Sequence, residues 1–324
     1  MLLSVIIPAY NCENTIISAI RSTGVYSNDQ VEVIVVNNGS QDRTKELVKA
    51  EAQINKNIIY IESEKGVSKA RNKGIEKASA KWITFLDADD CLLNLNGALR
   101  ELLVSAENDL IIGNYIVNKS KINLYSKMKN KNNRMAVIKQ MLENPTKYMT
   151  VWGKFYKTTL IKRVKLRFKN ELAYSEDSEF LIRYILLCNQ IQFSEKYVYH
   201  YVLSGNSTVR KYNPKLIYEY EKAILQMKKD LNKFPEFENS FNFFILMQFN
   251  LMMVHNVFVK NNNSISRLRK LCKRDYMSKA LEIVGLRNIF TPRLLPLVFC
   301  KYHLYLCASV IYKLRVIQND KNSK

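Results

Sequence analysis

The feature that most constrains this chain is an alternation of two spacings in its first third. Leu2–Ile7 and Val31–Val36 are short runs, apolar but for Ser4 and Glu32 and rich in β-branched residues, the pattern of strands covered on both faces. Asn57–Ile61, Trp82–Leu86 and Asp109–Ile112 read as further strands. Between them apolar residues fall at helical spacing, as in Ile16/Ile17/Ile20, Leu47/Val48 and Leu99/Leu102/Leu103. Strand–helix–strand alternation with short connections predicts an α/β fold: a mostly parallel sheet with right-handed crossovers, flanked by helices. Ligands of such sheets bind beyond the carboxyl ends of the strands.

The rest of the chain reads differently. Asn118–Arg134 is Lys/Asn-rich and is expected to be a mobile loop. From Pro214 onward the pattern is helical, over Leu216–Phe234, Phe237–Lys260, Ile265–Val284 and a last run from Leu294 to Ile317. A boundary near 213 would divide a domain 1–213 from a helical region 214–324. Charge follows a similar division. Residues 1–113 carry 12 basic and 15 acidic side chains, residues 114–324 carry 38 and 14, and the whole chain has a formal charge of +21. The six cysteines form no CxxC pair and no zinc spacing. With no basic leader before the first apolar run and no apolar stretch of membrane-spanning length, the expectation is a cytosolic protein.

Four short motifs sit at strand ends. Asp87-Ala88-Asp89-Asp90 follows the strand Trp82–Leu86, and three crowded carboxylates repel one another unless a divalent cation such as Mg²⁺ or Mn²⁺ joins them. A solvated acidic turn is the plainer alternative. Pro8-Ala9-Tyr10-Asn11 follows the first strand, where the ring could flank a nucleobase. Asn37-Asn38-Gly39-Ser40-Gln41-Asp42 follows the second. Gly66-Val67-Ser68-Lys69-Ala70-Arg71-Asn72 opens a helix at which an anion would meet free N–H groups and Arg71.

In this order and spacing the four resemble the inverting family 2 glycosyltransferases of GT-A (Rossmann-like) fold, of the kind that builds bacterial capsular, exopolysaccharide or wall glycans. The resemblance covers residues 3–92 closely and reaches about 210 more loosely. It implies that Pro8, Ala9, Tyr10 and Asn11 line the uridine pocket of a UDP-sugar and that Arg71 lies near the diphosphate. Asp87 and Asp89 would contact nucleotide and sugar, and Asp89 or Asp90 would hold Mn²⁺ or Mg²⁺. One departure is that Asn37-Asn38 replaces the usual Asp-Asp. An amide oxygen can still accept the uracil N3–H, without charge assistance, so another nucleotide sugar is the alternative donor.

Tyr174-Ser175-Glu176-Asp177 resembles the family's acidic station, where the aspartate is the base. An attacking hydroxyl must lose a proton, so Asp177 is expected to accept it, with Glu176 as second choice. A Ser-x-x-Glu capping box is the competing explanation, but Glu179 falls one position too far from Ser175. Trp152 could stack on an acceptor sugar or belong to the core, and His200 could approach the site or be structural. The basic second half fits the anionic inner face of the cell membrane, with the Leu294–Tyr312 run as an in-plane helix or, equally, a packed one. Nucleic acid is the weaker reading, because no base-reading motif appears. The expected activity is hexosyl or N-acetylhexosaminyl transfer from UDP-sugar to a glycan, by the resemblance one linked to polyprenyl diphosphate. The rival is a non-catalytic relative that binds glycan or nucleic acid.

Overall fold

The computed structural model describes residues 1–93, 97–129, 133–202, 212–259 and 263–321. The chain forms two compact units, one of residues 1–137 and 149–204, the other of 138–148 and 205–324.

The first unit is built on a sheet of β1 (Leu3–Ala9), β2 (Val31–Asn37), β3 (Ile58–Glu62), β4 (Trp82–Phe85), β5 (Cys91–Leu92), β6 (Leu110–Val117), β7 (Ser120–Ile122), β8 (Lys154–Lys157) and β9 (Ile191–Tyr201). Their order is β3-β2-β1-β4-β8-β6-β9-β5, with β7 beside β6. The first four are parallel neighbours, Val5 pairing with Val33 on one side and Thr84 on the other. Every residue of β2 and β4 is buried, which explains why those runs are apolar but for Glu32, Asn37 and Thr84. The chain leaves β1 toward β3 and returns on the other side at β4, so the strand order reverses between β1 and β4. Sheets of this type hold their ligands at such a reversal. The far half is mixed: β8 lies antiparallel between β4 and β6, while β9 runs parallel to β6 and antiparallel to β5.

Helix Val67–Lys77 lies against β1 and β2. Gly74 permits this approach, since a Cβ there would fall 2.3 Å from Ile6 Cγ2. The Lys/Asn-rich stretch after β6 departs from the expected loop. Ser120–Ile122 pairs with β6 as β7, and Tyr125–Met128 forms a helical turn. The buried Asn114 side chain accepts from the N–H groups of Leu124 (2.7 Å) and Tyr125 (3.0 Å), an anchor that polar composition conceals. Residues 130–132 of that stretch lie outside the described residues.

The second unit is helical. Its helices include Leu216–Leu231, Glu238–Met252, Ser264–Cys272, Asp275–Glu282, Leu295–Lys301 and Tyr305–Lys321, and a π-helical turn, Met253–Val257, continues the second. Lys260, the expected end of that helix, lies outside the described residues. Two expected helices are each divided. Arg274 adopts extended backbone between the third and fourth, and the Leu294–Ile317 run breaks at Tyr302–Leu304, where His303 has φ +60°. Its inner residues Leu297, Val298, Cys300, Tyr305, Ala308 and Tyr312 are core. Leu306, Val310, Leu314 and Ile317, at helical spacing on Tyr305–Lys321, are 53–69% exposed. Among the described residues no helix is long and apolar enough to cross a membrane.

Candidate active site

The loops after β1 and β2 interlock at the carboxyl edge of the sheet. Asn11 Oδ1 accepts from the Gln41 N–H (2.8 Å), and the Asn11 N–H donates to Ser40 Oγ (3.1 Å). Asp42 accepts from the Glu13 N–H (3.0 Å), and Thr44 Oγ1 from the Cys12 N–H (2.9 Å). Asn11 sits at φ +48°, a left-handed conformation that Asn tolerates better than most residues. Pro8 is half-buried and Ala9 buried at the end of β1. Tyr10 is exposed, with Lys65 Nζ 5.2 Å from its ring centre.

Asn37 and Asn38 are both buried. Asn37 Oδ1 accepts from the Ser40 N–H (3.0 Å), while its amide donates to the Tyr60 hydroxyl (3.0 Å). Asn38 Oδ1 accepts from the Gly66 N–H (2.6 Å), joining this loop to the start of helix Val67–Lys77. The amides thus shape the loops, and Asn37 Oδ1 keeps one lone pair beyond its bond to Ser40.

At the centre stands Arg71. Its guanidinium donates to Asp177 (2.7 Å), Glu176 (3.2 Å) and Asp87 (3.2 Å), and lies 5.3 Å from the Phe168 ring centre. Three separate sequence stations therefore meet on one buried cation. Burial works against the charge on Arg71, but the three carboxylates overcome it and hold its pKa above the ordinary value. One cation does not balance three anions, and the excess is visible in the acids. Burial pushes Glu176 up to about 7, with the Asp177 charge adding to the shift and Arg71 opposing it. Asp87 is raised for similar reasons, burial first.

Helix Glu176–Leu187 presents this acidic pair in its first turn, where the helix dipole favours negative charge. Ser175 makes no side-chain cap, so the capping-box explanation is not realised. Glu179, at the end of the same turn, is fully buried against Arg183 (2.6 Å) and belongs to the fold. Besides Arg71, Asp177 accepts a long bond of 3.5 Å from the Val151 N–H.

The turn Asp87–Asp90 separates its carboxylates by task. Asp90 is buried and accepts from Tyr199 Oη (2.7 Å) and the Val202 N–H (2.7 Å). Tyr199 Oη in turn accepts from the Asp87 N–H (3.2 Å), so a single hydroxyl grips both ends of the turn. Asp89 is exposed. Among the described residues no three His, Cys, Asp or Glu side chains converge as a ready metal cage. Mg²⁺ commonly takes one or two protein carboxylates and completes its shell with substrate phosphates and water, and the exposed Asp89 beside a carboxylate excess suits that mode.

Two expected residues stand apart from the Arg71 cluster. Trp152 is 9% exposed and stacked on Tyr199 (4.5 Å, 12°) and Tyr201 (5.7 Å, 12°), as part of the aromatic packing. His200 Nε2 lies 3.0 Å from the Asn118 carbonyl oxygen. Two others were not anticipated. Tyr199 carries no motif of its own. Lys154 is buried, donating to Thr150 Oγ1 (3.3 Å) and the Trp152 carbonyl (3.4 Å), and burial lowers its ammonium to about 7 while Asp177 opposes the shift. A lysine interrupting the apolar run from Val151 to Tyr156 was the available signal.

In a cluster where one cation is shared by a strand-end aspartate and a helix-start acidic pair, the cation can face an anionic donor while a carboxylate accepts a proton. The comparisons place the chain in a family. The family model described as Glycosyl transferase family 2 matches residues 4–167. EpsH of Bacillus subtilis (strain 168), named as a glycosyltransferase, is 26% identical over 97% of this chain and 96% of its own. Glycosyltransferase GlyA of Streptococcus pneumoniae serotype 4 is 27% identical over 68% of this chain and 33% of its own. Among solved structures, residues 1–349 of S. aureus TarS in complex with UDP share the fold at TM-score 0.65 and 19% identity, covering 100% of this chain and 92% of that one. The fold is thus GT-A, and the chain belongs to glycosyl transferase family 2.

Proposed function

We propose that the protein transfers one sugar, a hexose or N-acetylhexosamine, from a UDP-sugar to a growing glycan, with inversion at the anomeric carbon. Asp177 accepts the proton of the attacking hydroxyl. Pro8, Ala9, Tyr10, Asn11, Asn37 and Asn38 surround the nucleotide, with Asp87 toward the sugar and diphosphate. The observation that carries this reading is the Arg71 bridge between Asp87 and Asp177, which puts a donor-side and an acceptor-side carboxylate on one guanidinium. TarS, a structural neighbour, has been crystallised with UDP and with UDP-GlcNAc, which supports a uridine donor. Asp89 is the carboxylate we assign to a divalent metal, Mn²⁺ or Mg²⁺, which when bound neutralises the diphosphate. Asp90 is engaged by Tyr199 and Val202 and serves to shape the turn.

The acceptor in this reading is a capsular, exopolysaccharide or wall repeat unit on a polyprenyl diphosphate, reached from the inner face of the cell membrane. Supporting it are the exposed Leu306/Val310/Leu314/Ile317 stripe and the basic residues of the same helical unit, the combination used by in-plane interfacial helices. The deciding experiment is Asp177→Asn assayed with a panel of nucleotide sugars, with and without Mn²⁺. Turnover should fall by about 10²–10⁴-fold, the usual contribution of a general base, while donor affinity holds. Unchanged turnover in Asp177→Asn would remove Asp177 from the chemistry. A preference for a guanosine donor would replace the uridine assignment. Full activity of Asp89→Ala in excess chelator would dismiss the metal.

A further inference from the structure

The helical unit contains a cavity of about 370 Å³ whose lining includes Met247, Leu251 and Val254 on one long helix, Asn144, and Arg293 and Arg315. That volume lies within the ~300–1,000 Å³ of small-molecule sites. Its walls combine apolar side chains, the neutral polar groups of Asn144, Thr146, Asn250 and Asn319, and two cations. Neither arginine has an ion pair to a carboxylate among the described residues; Arg293 is exposed, but Arg315 is half-buried, where a charge is normally paired. Arg293 donates to Asn144 Oδ1 (2.8 Å) and at 3.5 Å to the Glu143 carbonyl. Arg315 donates to the Pro292 carbonyl and lies over the Tyr312 ring (5.8 Å). Each guanidinium has five N–H donors, so these bonds fix its plane and leave donors over. The nearby Glu143 carboxylate accepts from Ser240 Oγ (2.8 Å).

The surroundings are stiff. Asn250, also on the lining, donates to the Arg293 carbonyl (2.9 Å) and accepts from Tyr312 Oη (2.8 Å), so two helices and the turn at Arg293 share one hydrogen-bonded junction. Val254 belongs to the π-helical turn, a distortion that is frequent at functional positions. Burial lowers the pKa of Arg315, and Tyr312 beside it opposes the shift.

We infer that this cavity binds the phosphate head of a lipid-linked ligand, Arg293 and Arg315 clasping the phosphate or diphosphate and Met247, Leu251 and Val254 covering the first carbons of its chain. A guanidinium pair suits phosphate oxygens because each offers parallel N–H donors. An apolar wall beside it selects an esterified chain over the bare ion. The inference deepens the proposed function and rests on its reading that the acceptor is carried on a lipid phosphate. It adds a separate site that would hold the carrier rather than the sugar.

The test is direct binding of farnesyl diphosphate to the full chain, saturated with UDP so that the donor pocket does not compete. Inorganic diphosphate is the comparison. Wild type should bind farnesyl diphosphate at least about 10-fold more tightly than inorganic diphosphate, the discrimination expected from burying two or more methylene equivalents at about 0.8 kcal/mol each. Arg293→Gln and Arg315→Gln should each weaken it by at least about 10-fold, the low end for losing a hydrogen bond to a charged group. Val254→Phe, which fills the cavity without touching charge, should weaken farnesyl diphosphate and leave inorganic diphosphate unchanged. Circular dichroism and thermal midpoints identify any variant that has lost its fold, and the exposed Arg293 provides the substitution least able to do so. Equal affinity of wild type, Arg293→Gln and Val254→Phe would overturn the site. So would inorganic diphosphate binding as tightly as farnesyl diphosphate. The acceptor reading fails separately: an enzyme that binds farnesyl diphosphate here yet glycosylates only water-soluble acceptors keeps the site and loses that reading. Transfer to a lipid-linked acceptor that is indifferent to both arginines keeps the reading and loses the site.

Discussion

In the sheet unit one arginine serves three carboxylates, whereas the cavity of the helical unit has two arginines and no paired carboxylate among the described residues. The first cluster is nearly self-sufficient: its charges meet inside the chain, and the surplus is negative. The second is open, and its surplus is positive. A negative surplus at a strand end calls for a metal or a proton, and a positive one in a cavity calls for an anion. The direction of each imbalance says more about a ligand than the number of charges does.

The sharpest way to break this comparison is to remove the shared cation. Arg71→Gln leaves Asp87, Glu176 and Asp177 facing one another, and the fold should lose about 3 kcal/mol in denaturant titration. That is the lower end for breaking a buried pair, because the carboxylates keep some contact with water. Adding Asp87→Asn should recover part of the loss. If Arg71→Gln were as stable as wild type, the cluster would not be the electrostatic centre described here.

Gly74→Ala tests how the cation is positioned. In an exposed helix alanine would stabilise by about 1 kcal/mol, but here its methyl meets Ile6 at 2.3 Å. Overpacking should instead destabilise by about 1–3 kcal/mol. Pushing the helix off β1 would also displace Arg71, so transfer should drop together with stability. A more stable, fully active Gly74→Ala would show that the helix has room to move.

The acidic surplus should appear in the pH profile. Glu176 is raised to about 7, so it is protonated below that pH and ionised above it. Once ionised, it competes with Asp177 for Arg71 and leaves Asp177 freer to accept a proton. Turnover should therefore rise through a step near pH 7 that is missing in Glu176→Gln. A step that survives the substitution belongs to another group.

The smallest effect on the fold is expected on the outer face of the last helix. Leu306→Asp with Leu314→Asp should leave stability within about 0.5 kcal/mol per site, as exposed substitutions do. Binding to anionic vesicles should nevertheless fall sharply. In wild type that binding should weaken with salt without vanishing, since salt screens the charge attraction but not the burial of the stripe. Loss of stability on the same scale as for core residues would make the stripe part of the packing.

The legibility of the sequence tracked how local each interaction is. The parallel strands and the loops after them could be read because an apolar run followed by Pro-Ala-Tyr-Asn or Asp-Ala-Asp-Asp reports its own environment. Arg71 and Asp177 were each singled out, but nothing in either motif says that their side chains bond across 106 positions. Likewise, three adjacent aspartates look equivalent in a string, whereas Tyr199 and Val202 reserve Asp90 for the turn. In the last helical run, composition indicated an apolar face without showing that the chain breaks at His303, so that one part is core and another exposed. The Arg293–Arg315 cavity had no sequence signature, being assembled from positions 144 to 319 by helix packing.

The grip of Tyr199 on the acidic turn also has a temporal side. Its hydroxyl reaches Asp87 and Asp90 across 112 and 109 positions, from a strand laid down on β6 and β5. Contacts of such long range form late, because the intervening chain must first be ordered. A polypeptide emerging from the ribosome therefore displays its loops and aspartates well before it can fix the turn that presents them. Competence for donor binding should arrive abruptly, when β9 docks, and nascent chains shorter than about 200 residues should be silent toward nucleotide sugars.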